Sequence, residues 1–164
     1  MKNLIDKQFI RRFSDNKWFE NSEFIRIISK YQMDAISDAR TNIQSSKKEI
    51  TTGRIVSELT FGFWTSLFDT KFELTLWKNL RFSIPNCSKQ NRKRKIISAK
   101  LNRIRKFRNR IFHHEAISWN MEALNSYKQE IIEGISWLDK DLLNWLDELN
   151  HVDPMIDKYR KIIE

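Results

Sequence analysis

The sequence predicts an all-α protein, and two observations lead to that prediction. The 164 residues include three glycines and two prolines, too few for the many tight turns of an all-β fold. Isoleucine, leucine, phenylalanine and tryptophan are plentiful and often lie three or four residues apart, which is the spacing of one face of an α-helix. At this length we expect one domain over residues 1–164, with a core shared by several helices.

Composition also bears on metals and compartment. The single cysteine, Cys87, offers neither an internal disulfide nor a cysteine-based metal site, so we expect no metal and no cofactor. Charges in the first residues, MKNLIDKQFIRRF, interrupt the apolar run that a signal peptide needs. No window approaches the ~20 apolar residues of a membrane span. We therefore expect a cytoplasmic protein that does not enter membranes.

The first half of the chain predicts two long helices. Residues 17–41 carry apolar side chains on helical spacing, after an N-terminus with no clear pattern. The segment SSKKEITTG breaks the pattern, and Thr51 or Thr52 can cap the next helix. That helix, residues 53–68, places two adjacent rows on one broad face: Ile55, Leu59, Phe63 and Leu67, and beside them Val56, Thr60, Trp64 and Phe68.

The second half predicts a short helix, a loop and further helices. DTKFELTLWKNL is typical of a short helix, and RFSIPNCSKQNRKRK of a long loop with four consecutive bases. The helical pattern resumes at Ile96, residues 121–150 form one long helical segment, and Asp153 and Pro154 can begin a last helix. Apolar positions recur every seven residues in the long segment, as a packing seam for the domain's own core or for a second subunit: Leu124, Ile131, Leu138 and Trp145, with Ile135, Leu142 and Leu149 beside them.

Positive charge is concentrated in one region. The formal charge is +9, and no Asp or Glu occurs between Glu73 and Glu115, where thirteen Lys and Arg lie. The rest of the chain has seventeen bases against twenty-one acids. A forty-residue stretch without acids favours a polyanionic partner, because clustered bases gain affinity by releasing the counterions of phosphates.

Within this region, RIRKFRNRIFHHE combines basic residues with helical spacing. At about 100° per residue, a charged side chain, Arg108, falls in the middle of an apolar stripe. We expect Arg108 to line a cleft or a subunit contact, unless the helix bends or the side chain extends past its neighbours to water. The stripe consists of Ile97, Leu101, Ile104 and Ile111, and the opposite face carries Asn102, Arg105, Lys106, Asn109, Arg110 and His113.

Two histidines end this helix. Asn109 and His113 are four residues apart, so the amide can hydrogen-bond the imidazole. Arg108 and His113 lie about 140° apart around an ideal helix, so one site can contain both if the helix opens near His113 or if two subunits contribute. Spacing alone does not decide between His113 and His114 as the reactive imidazole. Three consecutive residues, His113 to Glu115, point in different directions, which disfavours a metal site.

The segments RNRIFHHE, SELTFGFWTSLF and LWKNL resemble the Abi-like proteins of bacteria, a branch of the HEPN superfamily. HEPN proteins share a motif of Arg, often followed by Asn, and then His after four to six residues. Arg108, Asn109 and His113 match it with four intervening residues, and ELTFGFW lies about fifty residues upstream, as expected. The resemblance covers residues 51–120.

The resemblance implies a dimeric helical bundle in which two copies of the motif meet in a cleft and cleave RNA without metal. His113 would act as general acid or base, Arg108 would stabilise charge on the phosphate, and Asn109 would orient its neighbours. Such proteins serve as toxins or phage-defence (abortive infection) effectors, so a cognate antitoxin is a possible partner. We expect the basic residues near the motif to bind RNA: Arg92, Lys93, Arg94, Lys95, Arg105, Lys106, Arg110 and His114.

Two other functions remain open from the sequence. The family also contains non-catalytic members, so the chain could be an RNA- or nucleotide-binding module or an antitoxin-like module. A helical DNA-binding protein that inserts the basic helix into a major groove is the third interpretation. It predicts a preference for duplex without cleavage, whereas a ribonuclease depends on the 2′-hydroxyl.

Overall fold

Up to Glu148, the described residues form nine α-helices and three 3₁₀ turns, and no β-strand occurs among any of the described residues. The computed structural model describes residues 1–117, 120–148, 153–154 and 157–158. The prediction of an all-α protein is confirmed. None of the described helices is long and apolar enough to cross a membrane. The helices are α1 (Lys2–Phe13), α2 (Ser22–Ile27), α3 (Lys30–Ser45), α4 (Thr52–Glu58), α5 (Phe61–Ser66), α6 (Trp77–Leu80), α7 (Arg94–Phe112), α8 (Met121–Leu138) and α9 (Asp141–Glu148).

Helix α1 forms where the sequence showed no clear pattern. Its apolar residues Ile5, Phe9 and Phe13 recur every four positions and are all buried. Phe9 packs edge-on against Trp18, with ring centroids 5.0 Å apart. The Trp18 indole N–H donates to Asp6 Oδ1 at 2.7 Å, which anchors the turn after α1 back onto the helix. The N-terminus is therefore part of the core.

The single helix predicted over residues 17–41 is wrong. A 3₁₀ turn at Trp18–Glu20 and the separate helices α2 and α3 replace it. Asn21 caps α2 by accepting from the backbone N–H groups of Glu23 and Phe24. Ser29 and Gln32 form a capping box at the start of α3. Because both caps satisfy N–H groups that a helix leaves free, the break between α2 and α3 costs little.

The helix predicted over residues 53–68 is also divided. Thr51 caps α4, as predicted, by accepting from the Arg54 N–H. Leu59 then leaves the helix, and Thr60 caps α5 by accepting from the Phe63 N–H at 3.2 Å. Both predicted apolar rows are buried apart from Thr60, whose side chain serves as the cap. The break therefore changes the path of the chain and keeps its buried face.

The region between α5 and α7 follows the prediction in outline. A 3₁₀ turn at Thr70–Phe72 and the short helix α6 replace the predicted short helix. A second turn at Arg81–Ser83 leads into the predicted loop, in which Ile84 and Cys87 are buried. The loop is attached to α8, because the Asn86 N–H donates to Trp137 O at 3.1 Å.

Helix α8 packs closely along α7. The rings of Phe107 and Tyr127 stack with centroids 4.4 Å apart. Gly134 allows the close approach, since a Cβ at this position would lie 3.1 Å from Ile104 Cδ1. Lys100 Nζ lies over the buried ring of Trp137. These contacts fix the long basic helix against the rest of the molecule.

The long helix predicted over residues 121–150 ends at Leu138, because Asp139 is extended and its side chain accepts from the Asp141 N–H at the start of α9. The seam is only partly covered. Leu124, Ile131 and Leu138 are half-buried, whereas Leu142 and Trp145 are exposed. Leu149 and most of the predicted last helix lie outside the described residues, although Asp153 and Pro154 are helical.

Candidate active site

The candidate site lies where α7 ends. His113 is the C-cap residue, and its backbone N–H donates to Asn109 O at 2.9 Å. His114 adopts a left-handed conformation with φ 52°. The His114 N–H donates to Ile111 O and the Glu115 N–H to Arg110 O, both at 3.0 Å, which is the Schellman pattern of a helix end. The helix therefore ends at His113. An opening of the helix near His113 was one of the two conditions under which one site could contain both Arg108 and His113.

His114 occupies the position that most proteins give to glycine. His114→Gly should stabilise the fold by about 1 kcal/mol, because glycine adopts a left-handed conformation without the steric cost of a Cβ. Chemical unfolding would measure the difference. His114→Ala is the matched control, since alanine keeps the Cβ and should leave the stability near that of the wild type. Equal stabilities for the two variants would contradict the left-handed geometry.

Arg108 is exposed rather than buried. Its guanidinium carbon lies 4.2 Å from the ring centroid of Phe112, itself 65% exposed. Ile97 and Leu101 of the predicted apolar stripe are buried, but Ile111 is 44% exposed. The buried part of the stripe therefore ends before Arg108. In this half of α7, the side chain that α8 covers is Phe107, which lies beside the stripe. Arg108 therefore lies at the surface of the single chain and not in a cleft within it, and the expected subunit contact stays a prediction.

Within one chain the three motif residues do not form an assembled site. The structure records a cation–π contact for Arg108, with Phe112, and none with His113. Asn109 and His113 are joined through the backbone rather than through the predicted bond between amide and imidazole. All three side chains are exposed at one end of α7. They are available to an external group, whether a substrate or a second copy.

Arg110 holds the segment after the helix. Its guanidinium donates to Glu115 Oε2 at 3.1 Å and to Ala116 O at 2.8 Å. These bonds fold the backbone back over the last turn of α7, next to His113 and His114. The structure therefore gives Arg110, predicted to bind RNA, a role in shaping the site.

Of the four consecutive bases at residues 92–95, two make contacts within the fold and two are exposed to solvent. Arg92 donates to Pro85 O at 2.8 Å and to Cys87 O, which closes the loop before α7. Arg94 donates to Phe68 O at 3.1 Å and pairs with Glu73 at 2.9 Å. Lys93 and Lys95 are exposed. Neutralising all four together would therefore combine a folding effect with any loss of RNA binding.

The buried thiol in this loop is structural. Cys87 is 2% exposed. Burial raises the pKa of the thiol above its ordinary value, although the charge of Arg92 opposes the shift. The reactive thiolate is therefore disfavoured and shielded from solvent, and Cys87 is no candidate for a nucleophile.

The acid-free stretch receives its counter-charges from elsewhere in the chain. Arg105, which is half-buried, donates to Asn102 Oδ1 at 3.1 Å. Lys106 remains exposed. Among the residues that the structure describes, four of the thirteen bases form ion pairs with acids outside the stretch: Arg94 with Glu73, Lys100 with Glu133, Arg103 with Glu130 and Arg110 with Glu115. These pairs offset part of the positive charge that the sequence indicated.

No group of three or more His, Cys, Asp or Glu able to hold a metal ion occurs in the part of the chain that the structure describes. Glu115, which is next to the two histidines, is paired with Arg110. Comparisons with family models, with curated proteins and with solved structures found no match to this chain. The functional interpretation therefore rests on the motif and on the geometry at the end of α7.

Proposed function

We propose that this protein is a metal-independent endoribonuclease that acts as a toxin or phage-defence (abortive infection) effector. One observation carries the proposal: a guanidinium and an imidazole, Arg108 and His113, are exposed together at the end of a helix whose sequence contains no acid. An imidazole is suited to proton transfer near neutral pH, and a guanidinium to charge on a phosphate. RNA offers both a proton to remove and a phosphate to stabilise.

The reaction follows from the groups available. The ribose O2′ attacks the adjacent phosphorus as its proton leaves to a base, and the bond from phosphorus to O5′ breaks as O5′ gains a proton. The products are a 2′,3′-cyclic phosphate and a 5′-hydroxyl. His113 would act as the base or the acid, Arg108 would stabilise the phosphate oxygens, and Asn109 would orient its neighbours. The nucleophile belongs to the substrate, so this route requires no metal.

A homodimer would complete this site. Within one chain Arg108 contacts Phe112 and not His113, whereas a two-fold pair can bring Arg108 of one copy beside His113 of the other. Ile111 and Phe112 leave an exposed apolar surface beside the motif, which a second copy could cover. Light scattering should give twice the mass of one 19.9 kDa chain. The mass of a single chain at micromolar concentration would count heavily against a shared cleft.

The direct test is cleavage of mixed RNA by purified protein, with and without excess chelator. We expect cleavage in both conditions and products that end in a 2′,3′-cyclic phosphate. DNA of the same sequence should remain intact, because it lacks the nucleophile. Cleavage that chelator abolishes, or that affects DNA equally, would contradict the proposal.

A second candidate is a non-catalytic HEPN-type module that binds RNA or a nucleotide, or that serves as an antitoxin-like partner. The observation in its favour is that Arg108 contacts Phe112 rather than His113. It predicts RNA binding without turnover, even at high protein concentration. DNA binding by α7 is the third possibility, and a preference for duplex DNA over single-stranded RNA would favour it. A cognate antitoxin remains a prediction for the first candidate.

A further inference from the structure

One face of α7 carries a continuous row of six residues, of which all but one are polar. Its members follow each other at alternating spacings of four and three residues, so they fall within about 80° of arc around the helix. The row lies opposite Ile104, which faces Gly134 of α8. Five members are exposed and Asn102 is half-buried. This α7 row consists of Lys95, Ala99, Asn102, Lys106, Asn109 and His113.

The row carries two of the four bases of α7 that form no ion pair with a described residue; the other two, Arg105 and Arg108, lie off the row. Neither Lys95 nor Lys106 takes part in an ion pair with any described residue. By contrast, Lys100 and Arg103 pair with Glu133 and Glu130 of α8. Acids of α8 thus offset two bases of α7, whereas both lysines of the row remain unpaired among the described residues. Such a face attracts phosphates.

We infer that the α7 row binds one strand of RNA and leads it to His113. The inference rests on the proposed nuclease function, since it takes the end of the row at His113 as the point of cleavage. From Lys95 to His113 the row is about 27 Å long, at 1.5 Å per residue. At about 3.4 Å per stacked nucleotide, it matches about eight nucleotides, and fewer if the strand is extended.

The chemistry of the row favours a single strand. Lys95 and Lys106 supply charge for phosphates, and the exposed amide of Asn109 can donate to and accept from the edges of unpaired bases. In an RNA duplex the major groove is too deep and narrow for protein side chains to read, and the duplex is recognised mostly by its shape and its 2′-hydroxyls across the minor groove. A row only one residue wide therefore fits one strand better than a duplex.

The test compares two double variants that remove the same charge. Lys95→Gln with Lys106→Gln alters the row, and Lys78→Gln with Lys89→Gln removes two exposed lysines elsewhere in the acid-free stretch. Fluorescence anisotropy would measure binding to 2′-O-methyl RNAs of four, eight and twelve nucleotides, which cannot be cleaved. Circular dichroism would verify that both variants are folded.

We expect wild-type affinity to rise between four and eight nucleotides and then to level off. The row variant should bind the eight-nucleotide RNA about tenfold more weakly, with the slope of log affinity against log salt reduced by about 1.4, as expected for two lost contacts to a single strand. The control variant should stay within about twofold of the wild type. Equal losses in both variants, no loss in the row variant, or tighter binding of duplex RNA would overturn the inference.

Cleavage assays on unmodified RNA separate this inference from the proposed function. Wild-type protein that binds RNA through the row but never cleaves it would refute the nuclease and leave the row intact. Cleavage by wild-type protein together with unchanged binding by the row variant would refute the row and leave the nuclease intact. Ala99→Glu, which places an acid at an exposed position of the row, should weaken binding, whereas Ser37→Glu on the exposed face of α3 should not.

Discussion

His113→Ala and Arg108→Ala should each reduce RNA cleavage by about 10²-fold or more, the usual loss for one acid–base or electrostatic group. Both side chains are exposed, so their removal should leave the fold and most RNA binding unchanged. The initial rate of cleavage of a labelled RNA would measure the effect. His114→Ala should cost less, because His114 serves as the left-handed cap of α7.

The two losses should not multiply in the double variant, because groups that serve one transition state act together. Excess chelator should leave the wild-type rate unchanged. A different pattern would point to other chemistry: cleavage that chelator stops and that persists in His113→Ala would exclude this assignment. A contaminating nuclease would then be the first alternative to test.

Mixing the two inactive variants would distinguish a site within one chain from a site shared by two. In a two-fold dimer whose sites each combine Arg108 of one copy with His113 of the other, a mixed dimer retains one intact site. Half of the randomly paired dimers are mixed, so the mixture should recover roughly a quarter of wild-type activity. No recovery after exchange of subunits would place both groups in one chain and would require Arg108 to leave Phe112.

Local periodicity was enough to predict the all-α class and α7, whose predicted start at Ile96 lies two residues from the observed one. The exposed position of Arg108 did not follow from the same reasoning. Helical spacing identifies which residues share a face, but it does not show where a neighbouring helix stops covering that face. Phe107 is buried because Tyr127 of α8 stacks on it, and no pattern within α7 indicates this contact.

The charge near the site also depends on how a neighbouring helix packs, which spacing within α7 does not show. The acid-free stretch is a property of the sequence, but Glu130 and Glu133 join two of its bases only after α8 folds against α7. The missed helix breaks are different, because their signals were present in the sequence. Asn21 and Thr60 are good N-cap residues, and each stands inside an apolar pattern that continues on both sides of the break.

The N-terminal core should provide the largest change in stability. Trp18→Ala should lower the free energy of unfolding by about 3–5 kcal/mol, the cost of removing a large aromatic side chain from a packed core. Trp18 is completely buried and contacts Phe9, Phe24 and Trp64, with ring centroids 5.0, 4.9 and 6.1 Å away. The variant would also leave Asp6 without the indole N–H. Urea unfolding monitored by circular dichroism would measure the change.

Trp145→Ala is the matched control, since it removes the same side chain from a position in α9 that is 60% exposed. It should change stability by about 0.5 kcal/mol or less. Trp18→Phe should fall between the two, because it keeps an aromatic ring in the cluster and loses the bond to Asp6. If Trp18→Ala were as mild as Trp145→Ala, α1 and its turn would not belong to the core, and the 51–120 region would have to fold without them.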